Sequence, residues 1–140
     1  MAPKPVRDIA AAVVQREDGR VLLLKRAPTH SPGEGQWCFV TGYVEPAEDP
    51  QRAAVRELQE ELGVIAEPAR SGPVVVVEIE QASLHVHPFL FAVPDFPVVL
   101  DWEHTDAAWI RPQELYEYDF VQQLDEDLMA LGLLPENSDQ

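Results

Sequence analysis

Gly42-Tyr43-Val44-Glu45-Pro46-Ala47-Glu48-Asp49-Pro50-Gln51-Arg52-Ala53-Ala54-Val55-Arg56-Glu57-Leu58-Gln59-Glu60-Glu61-Leu62-Gly63-Val64 is a loop and helix loaded with carboxylates at fixed offsets. Asp49 is a good N-cap, Pro50 suits the first helical position, and Gly63 is free to close a helix in the left-handed conformation. The spacing predicts a helix over 50–62. At about 100° per residue, Glu57, Glu60 and Glu61 fall within one arc, and Ala54, Val55, Leu58 and Leu62 form the adjoining apolar face.

Three neighbouring carboxylates repel one another, so the arrangement is favourable where they are well solvated or share cations. As hard oxygen ligands they suit Mg²⁺ or Mn²⁺, and Mg²⁺ keeps several waters and substrate phosphate oxygens in its shell. The glutamates taken alone also fit a solvated acidic helix face. Their surroundings, a glycine-led loop, Arg56 and two helix caps, favour the metal-assisted phosphoryl site.

The stretch resembles the Nudix hydrolase signature G-x5-E-x7-R-E-U-x-E-E-x-G-U, with U aliphatic. It matches at each specified position: Gly42, Glu48, Arg56, Glu57, Leu58, Glu60, Glu61, Gly63 and Val64. The resemblance implies that Glu57, Glu60 and Glu61 are metal ligands, that one of them is a candidate general base, and that the Gly42 carbonyl completes the coordination. It also implies structural roles for Arg56, Glu48 and Gly63, the arginine pairing with the loop glutamate to orient the catalytic carboxylates. Bidentate guanidinium geometry suits that task. Two departures stand out: Val40-Thr41-Gly42 replaces the glycine pair of many relatives, and Ala47 occupies a position where they carry Gly. Both touch the backbone path beside the substrate phosphates.

A chain of 140 residues with 46% hydrophobic content suits one soluble domain, here residues 1–140, with one core. Met1-Ala2-Pro3-Lys4-Pro5 lacks an apolar signal-peptide core, and no apolar run approaches membrane-spanning length, so a cytoplasmic location and no membrane partner are expected. The net charge of -15 disfavours long nucleic acids, whose affinity depends on phosphate neutralisation. A small polyphosphate needs only local positive charge. Lys25 and Arg26, at the end of Val21-Leu22-Leu23-Leu24, are candidates for it, and equally read as solvated charges at a strand end. The single Cys38, between Trp37 and Phe39, reads as a packing residue rather than a nucleophile.

Residues 6–15 and 20–27 read as strands joined at Glu17-Asp18-Gly19, and 27–35 as a loop rich in Pro and Gly. Residues 36–41 alternate as a third strand with Trp37, Phe39 and Thr41 on one face, which would present the box helix at the sheet edge. Residues 74–80 and 84–93 form a strand pair turning near 81–83, with short strands at 98–100 and 107–110. Arg111-Pro112 opens a brief helix over 113–116. A last helix over 120–131 carries the stripe Phe120, Leu124, Leu128 and Leu131, and 135–140 is a polar tail. This order predicts an α/β fold with a mixed sheet layered between helices, in agreement with the α/β/α sandwich that the resemblance implies.

Outside the box, Asp101-Trp102-Glu103-His104-Thr105-Asp106-Ala107-Ala108-Trp109-Ile110 is similar to the family's late loop. Glu103 is there a candidate metal ligand or water-activating base, against a plain surface-loop reading. His85 and His87 share a strand face, which reads either as a metal or base contact or as ordinary strand polarity. The aromatics Trp37, Phe39, Tyr43, Phe89 and Phe91 supply either a nucleobase platform or core, with Trp37 and Tyr43 the substrate-binding candidates.

The expected activity is Mg²⁺- or Mn²⁺-dependent hydrolysis of a nucleoside diphosphate linked to another moiety, with water as nucleophile. The run Ser-Gln-Pro-Trp-Pro-Phe-Pro of NADH-type relatives is absent. Ile79-Glu80-Gln81 stands where ADP-ribose and dinucleoside polyphosphate hydrolases carry Pro or Tyr markers. Nucleoside triphosphates, modified ones included, are therefore the leading substrates, with ADP-ribose or nucleotide sugars as the alternative. A non-catalytic nucleotide sensor is a rival class that the complete carboxylate set disfavours, and an RNA 5′-end hydrolase is disfavoured by the acidic surface. Homodimerisation is common among relatives.

Overall fold

The computed structural model describes residues 3–28 and 34–136. The middle of the expected 27–35 loop and the end of the expected polar tail lie outside the described residues.

β1 (Val6–Gln15) and β2 (Val21–Arg26) are joined as the Asp-Gly signal predicts. Gly19 is left-handed (φ 88°), and Asp18 Oδ1 accepts from the Arg20 amide at 3.1 Å. The two strands meet only at the root of the hairpin, Gln15 opposite Val21, and then diverge. The chain 37–43 fills the gap. Its first part, β3 (Trp37–Cys38), pairs with β2, and after Phe39 it crosses to β1 as β4 (Val40–Tyr43). One predicted strand is thus split between two neighbours.

After the helix come β5 (Arg70–Ser71), β6 (Val75–Ile79), β7 (Ala82–Ala92) and β8 (His104–Ile110). β7 runs parallel to β1 over all ten residues, β5 and β6 line its other edge antiparallel, and β8 covers the free edge of β2. The β6–β7 turn falls at Glu80-Gln81, one step before the expected 81–83. The expected strand at 98–100 does not form: Pro94 and Pro97 interrupt the ladder, and Val98 and Leu100 only pack against the core.

β1 lies inside the sheet, and Ala10, Ala11, Ala12, Val13 and Val14 are all buried, an unbroken apolar run as expected for a strand covered on both faces. Ala10, Ala12 and Val14 meet α1 (Pro50–Leu62) through Ala53, Ala54, Val55 and Leu58. Val13, with Leu23 and Phe39, meets α2 (Leu124–Ala130) through Leu124 and Leu128 on the opposite face. This is an α/β/α arrangement. The small alanines let α1 sit across β1 and β4, over the middle of the sheet rather than at its edge, which corrects the placement inferred from the sequence.

α2 is shorter than the predicted 120–131. Phe120 instead forms a parallel bridge to Trp37, with the Trp37 amide donating to Asp119 O at 2.9 Å and the Val121 amide donating to Trp37 O at 3.0 Å. These bonds pull 119–121 into extended backbone, and Gln123 makes the turn into the helix in the left-handed region (φ 67°). The brief helix after Arg111 is a 3₁₀ helix over Pro112–Glu117, with Glu114 accepting from the Arg111 amide at 2.8 Å.

Leu58 is fully buried beneath the box helix. Leu58→Ala is expected to cost about 2–5 kcal/mol, the range for a large-to-small change in a packed core, read as a lowered urea midpoint with an unchanged m-value.

Candidate active site

The helix caps form as their residues dictate. Asp49, in extended backbone (ψ 159°), accepts from the Arg52 amide at 2.9 Å, and Gly63 (φ 70°) closes the helix with its amide donating to Gln59 O at 2.9 Å. Between these caps Arg56 organises the carboxylates. Its Nε and Nη2 donate to Glu48 Oε2 and Oε1 at 2.8 and 3.0 Å, a bidentate pair. Its Nη1 donates to Glu57 Oε2 at 2.8 Å and reaches Glu60 Oε1 at 3.4 Å, and Nη2 also donates to Tyr43 O at 3.1 Å. Glu48 returns a bond to its own loop by accepting from the Glu45 amide at 3.0 Å. The Arg56 bonds, with that amide second, hold the Glu48 carboxyl down at about 2.

The three helix glutamates differ in environment. Glu57 and Glu61, one turn apart, are 16% and 9% exposed at the side chain and hydrogen-bonded to each other, whereas Glu60 is 59% exposed and turned toward Arg56 and solvent. Burial first, then the bond to and charge of Glu57, then the charges of Asp101 and Glu103, hold Glu61 well above the usual carboxylate range. Two acids forced together on hard oxygen donors are a favourable seat for a divalent cation, which removes the repulsion that otherwise keeps a proton there. The glycine at 42 belongs to the same construction: a Cβ there would collide with the Glu57 carboxyl group, so only glycine lets that carboxylate lie over β4. The residues present thus fit a hard divalent cation.

A cavity of about 290 Å³ opens beside Glu61, lined also by Arg26, Cys38, Thr41, Trp102, Glu103 and His104. Glu103 is exposed on its rim. His104, missed in the sequence, enters more deeply: its side chain is 8% exposed, with Nδ1 2.8 Å from Asp101 Oδ1 and Nε2 3.9 Å from Glu61 Oε1. A second cavity of about 310 Å³, on the α2 side of the sheet, shares Arg26 and Thr41 with the first and has apolar walls including Ile9, Val77 and Leu84. Two polar groups face it that the sequence did not single out. Asp127 is buried, its acid pushed up to about 8 first by burial and then by the charges of Glu126 and Asp125. Gln123 Oε1 is buried with no hydrogen-bond partner among the described residues, on a residue held at positive φ. Strain and an unmet acceptor together mark this turn.

Other sequence candidates fall elsewhere. Trp37 packs edge-on against Tyr118 at 5.3 Å within the α2-side core, Tyr43 is exposed beyond the loop and contributes its carbonyl to Arg56, and Lys25 lines neither cavity. Phe39, Phe89 and Phe91 are core. His87 is held by Asp8 at 2.9 Å, and neither it nor His85 belongs to a potential metal cluster among the described residues. Cys38 is buried, its thiol pushed up to about 12 by burial and bonded to Leu24 O at 3.4 Å, which leaves it inert at neutral pH.

The family model described as NUDIX domain matches residues 5–131. The chain belongs to the Nudix family. It is 38% identical over 112 residues to the CTP pyrophosphohydrolase of Escherichia coli K12, a match spanning 79% of this chain and 80% of that protein. It is 29% identical over 139 residues to nucleoside triphosphatase NudI of an E. coli O17:K52:H18 strain, spanning 91% and 98%. The solution structure of the E. coli ORF135 protein matches with a TM-score of 0.72 at 33% identity, covering 97% of this chain and 100% of that one. Against the Nudix pattern, the Ala47 departure has a structural cost: Ala47 sits at φ 67°, in the left-handed region that glycine occupies freely.

Three outcomes follow from this geometry. Ala47→Gly is expected to raise stability by about 1 kcal/mol in chemical denaturation, the strain relieved less the added chain entropy. Arg56→Lys keeps the charge but loses the fork, and a drop in kcat of about 10–100-fold with the fold intact by circular dichroism is expected. Glu48 is ionised in the fold down to about pH 2 against an ordinary value of 4.5, so its contribution is fully present above pH 4.5 and is lost as pH falls toward 2. Glu48→Gln should accordingly lower the melting temperature at pH 6, and its difference from wild type should shrink steadily as pH falls from 4.5 toward 2.

Proposed function

We propose that this Nudix enzyme hydrolyses nucleoside triphosphates, including base-modified ones, at a phosphoric anhydride bond to release the nucleoside monophosphate. The observation that carries the reading is the pair of adjoining cavities that share Arg26 and Thr41. One is acidic and abuts the box, and the other is apolar-walled with two polar groups at its end. The first suits a cation-bound triphosphate, and the second suits a flat, partly polar base. Relatives named CTP pyrophosphohydrolase and nucleoside triphosphatase support the same class.

In this reading Glu57, Glu60, Glu61 and the Gly42 carbonyl would hold Mg²⁺ or Mn²⁺, with Glu103 beside them on the cavity rim. A divalent cation bound there would supply charge neutralisation at the phosphate oxygens and acidify the attacking water. Arg56 fixes the Glu57 carboxylate so that it does not reorient as charge develops. Arg26 supplies the fixed positive charge beside the polyphosphate, and Glu103, an exposed carboxylate of the set, accepts the proton of the attacking water. In the second cavity Gln123 Oε1 accepts from an exocyclic amine or ring N–H, and Asp127, protonated at neutral pH, donates to a base carbonyl or ring nitrogen.

The test is phosphate release, after added pyrophosphatase, over a panel of ordinary and modified nucleoside triphosphates, ADP-ribose, nucleotide sugars and dinucleoside polyphosphates. Triphosphates should lead, and Glu57→Gln should lose at least about 10³-fold in kcat, the scale of removing a group that directly stabilises the transition state. A folded, cation-binding protein silent on the whole panel would favour the nucleotide-sensor class.

Asp127→Asn separates the base pocket from the chemistry, with KM expected to rise several-fold at nearly unchanged kcat. Asp127 binds a proton in the fold up to about pH 8 but only to about 3.8 when unfolded, so its effect on stability worsens as pH rises through that window. The melting temperature of Asp127→Asn relative to wild type should therefore increase steadily between pH 4 and pH 8.

A further inference from the structure

We propose that His104 is a nitrogen ligand to the cation held by Glu61, and that it biases this site toward first-row transition divalents over Mg²⁺. The inference rests on the hydrolase reading above and adds to it a residue outside the box.

His104 comes from the first turn of β8, some forty residues from the box, and β2–β8 pairing carries it to the helix. Its ring is almost completely enclosed. Asp101 accepts from Nδ1–H at 2.8 Å and is itself fixed by the Glu103 amide, which donates to Asp101 Oδ1 at 3.1 Å. With the proton committed to Nδ1, the lone pair of Nε2 points into the cavity beside Glu61. This carboxylate–imidazole pairing is the arrangement that orients histidine ligands of bound metals.

The separation of Nε2 from Glu61 Oε1 decides between a hydrogen bond and a shared ion. At 3.9 Å the two atoms are too far apart to bond directly. Two ligands each about 2.1 Å from one cation are at most about 4.2 Å apart, so a common ion between them fits. Donor atoms of Glu61, Asp101 and His104 lie within 4.8 Å of one another, and this is the one such grouping among the described residues. Mg²⁺ takes oxygen ligands, whereas imidazole favours the later divalent ions, so one nitrogen in an otherwise carboxylate shell tilts selectivity away from Mg²⁺.

The experiment uses the full chain with Mn²⁺ as the probe, read by electron spin-echo envelope modulation, beside Mn²⁺ titrations with and without Mg²⁺. The expected spectrum shows a directly bound ¹⁴N that changes on ¹⁵N-histidine labelling and disappears in His104→Ala. It persists in His85→Ala and His87→Ala. Asp101→Asn should keep the nitrogen signal while weakening Mn²⁺ binding by about tenfold, and His104→Ala should lose about tenfold in preference for Mn²⁺ over Mg²⁺. A wild-type protein that binds Mn²⁺ and hydrolyses its substrate but shows no bound nitrogen overturns the role of His104 and leaves the hydrolase reading standing. Survival of the signal in His104→Ala does the same. Hydrolysis indifferent to chelators, with no Mn²⁺ bound, overturns both. The labelling comparison on the wild-type chain decides the matter even where His104→Ala does not fold.

Discussion

Arg56 is the constraint on which the site depends. A guanidinium offers five donors in a fixed plane, and here they are spread over Glu48, Glu57, Glu60 and the Tyr43 carbonyl. One cation therefore ties the loop before the helix, the strand before the loop and the helix itself. It also makes two carboxylates unequal. Glu48 is engaged through both oxygens and charged down to about pH 2, a strut, while Glu57 gives one oxygen to Arg56 and keeps the rest of its carboxylate beside Glu61. A lysine at 56 would balance the charge and leave the geometry undetermined.

The backbone around this arginine is as specific as the charges. Glu57 lies across β4 because Gly42 has no side chain, and β4 is at that place because the chain 37–43 leaves β2 at Phe39 and crosses to β1. The five-residue apolar run of β1 lets helices close on both faces, which puts the box helix over the middle of the sheet and leaves the acidic cavity between that helix and the ends of β2 and β8. The acid cluster is thus supported by the core: Leu58 anchors the helix from below one residue away from the carboxylate that matters.

This explains which parts of the molecule were legible in the sequence. Asp49, Pro50, Gly63 and the 3.6-residue rhythm of Ala54, Val55, Leu58 and Leu62 act within one helix, and they read correctly. So did the Asp-Gly turn. What escaped was decided by contacts between distant segments. Phe120 has the right spacing to continue α2, yet the backbone of Trp37 captures it in a bridge. Trp37 also meets Tyr118 in a T-shaped contact that joins two distant segments. His104 was passed over beside the more familiar Glu103, because only the register of β8 on β2 turns the imidazole inward and leaves the carboxylate on the rim. Asp127 sits among Asp125 and Glu126, and only the sheet beneath α2 distinguishes the buried acid from its solvated neighbours. Ala47 was visible as a departure, but its strain was a matter of backbone geometry.

The electrostatics of the whole chain bear on the form in which a nucleotide arrives. With a net charge of -15, and with Glu57, Glu61, Asp101 and Glu103 gathered around one cavity holding a single lining arginine, a bare polyphosphate meets repulsion at long range and at the site. Arg26 cannot offset three or four phosphate charges. A nucleotide already carrying its divalent cation presents a smaller charge and brings an ion that the carboxylates can share. The same acids that repel the free polyanion are the groups that attract its cation complex. An acidic surface is thereby compatible with an anionic substrate.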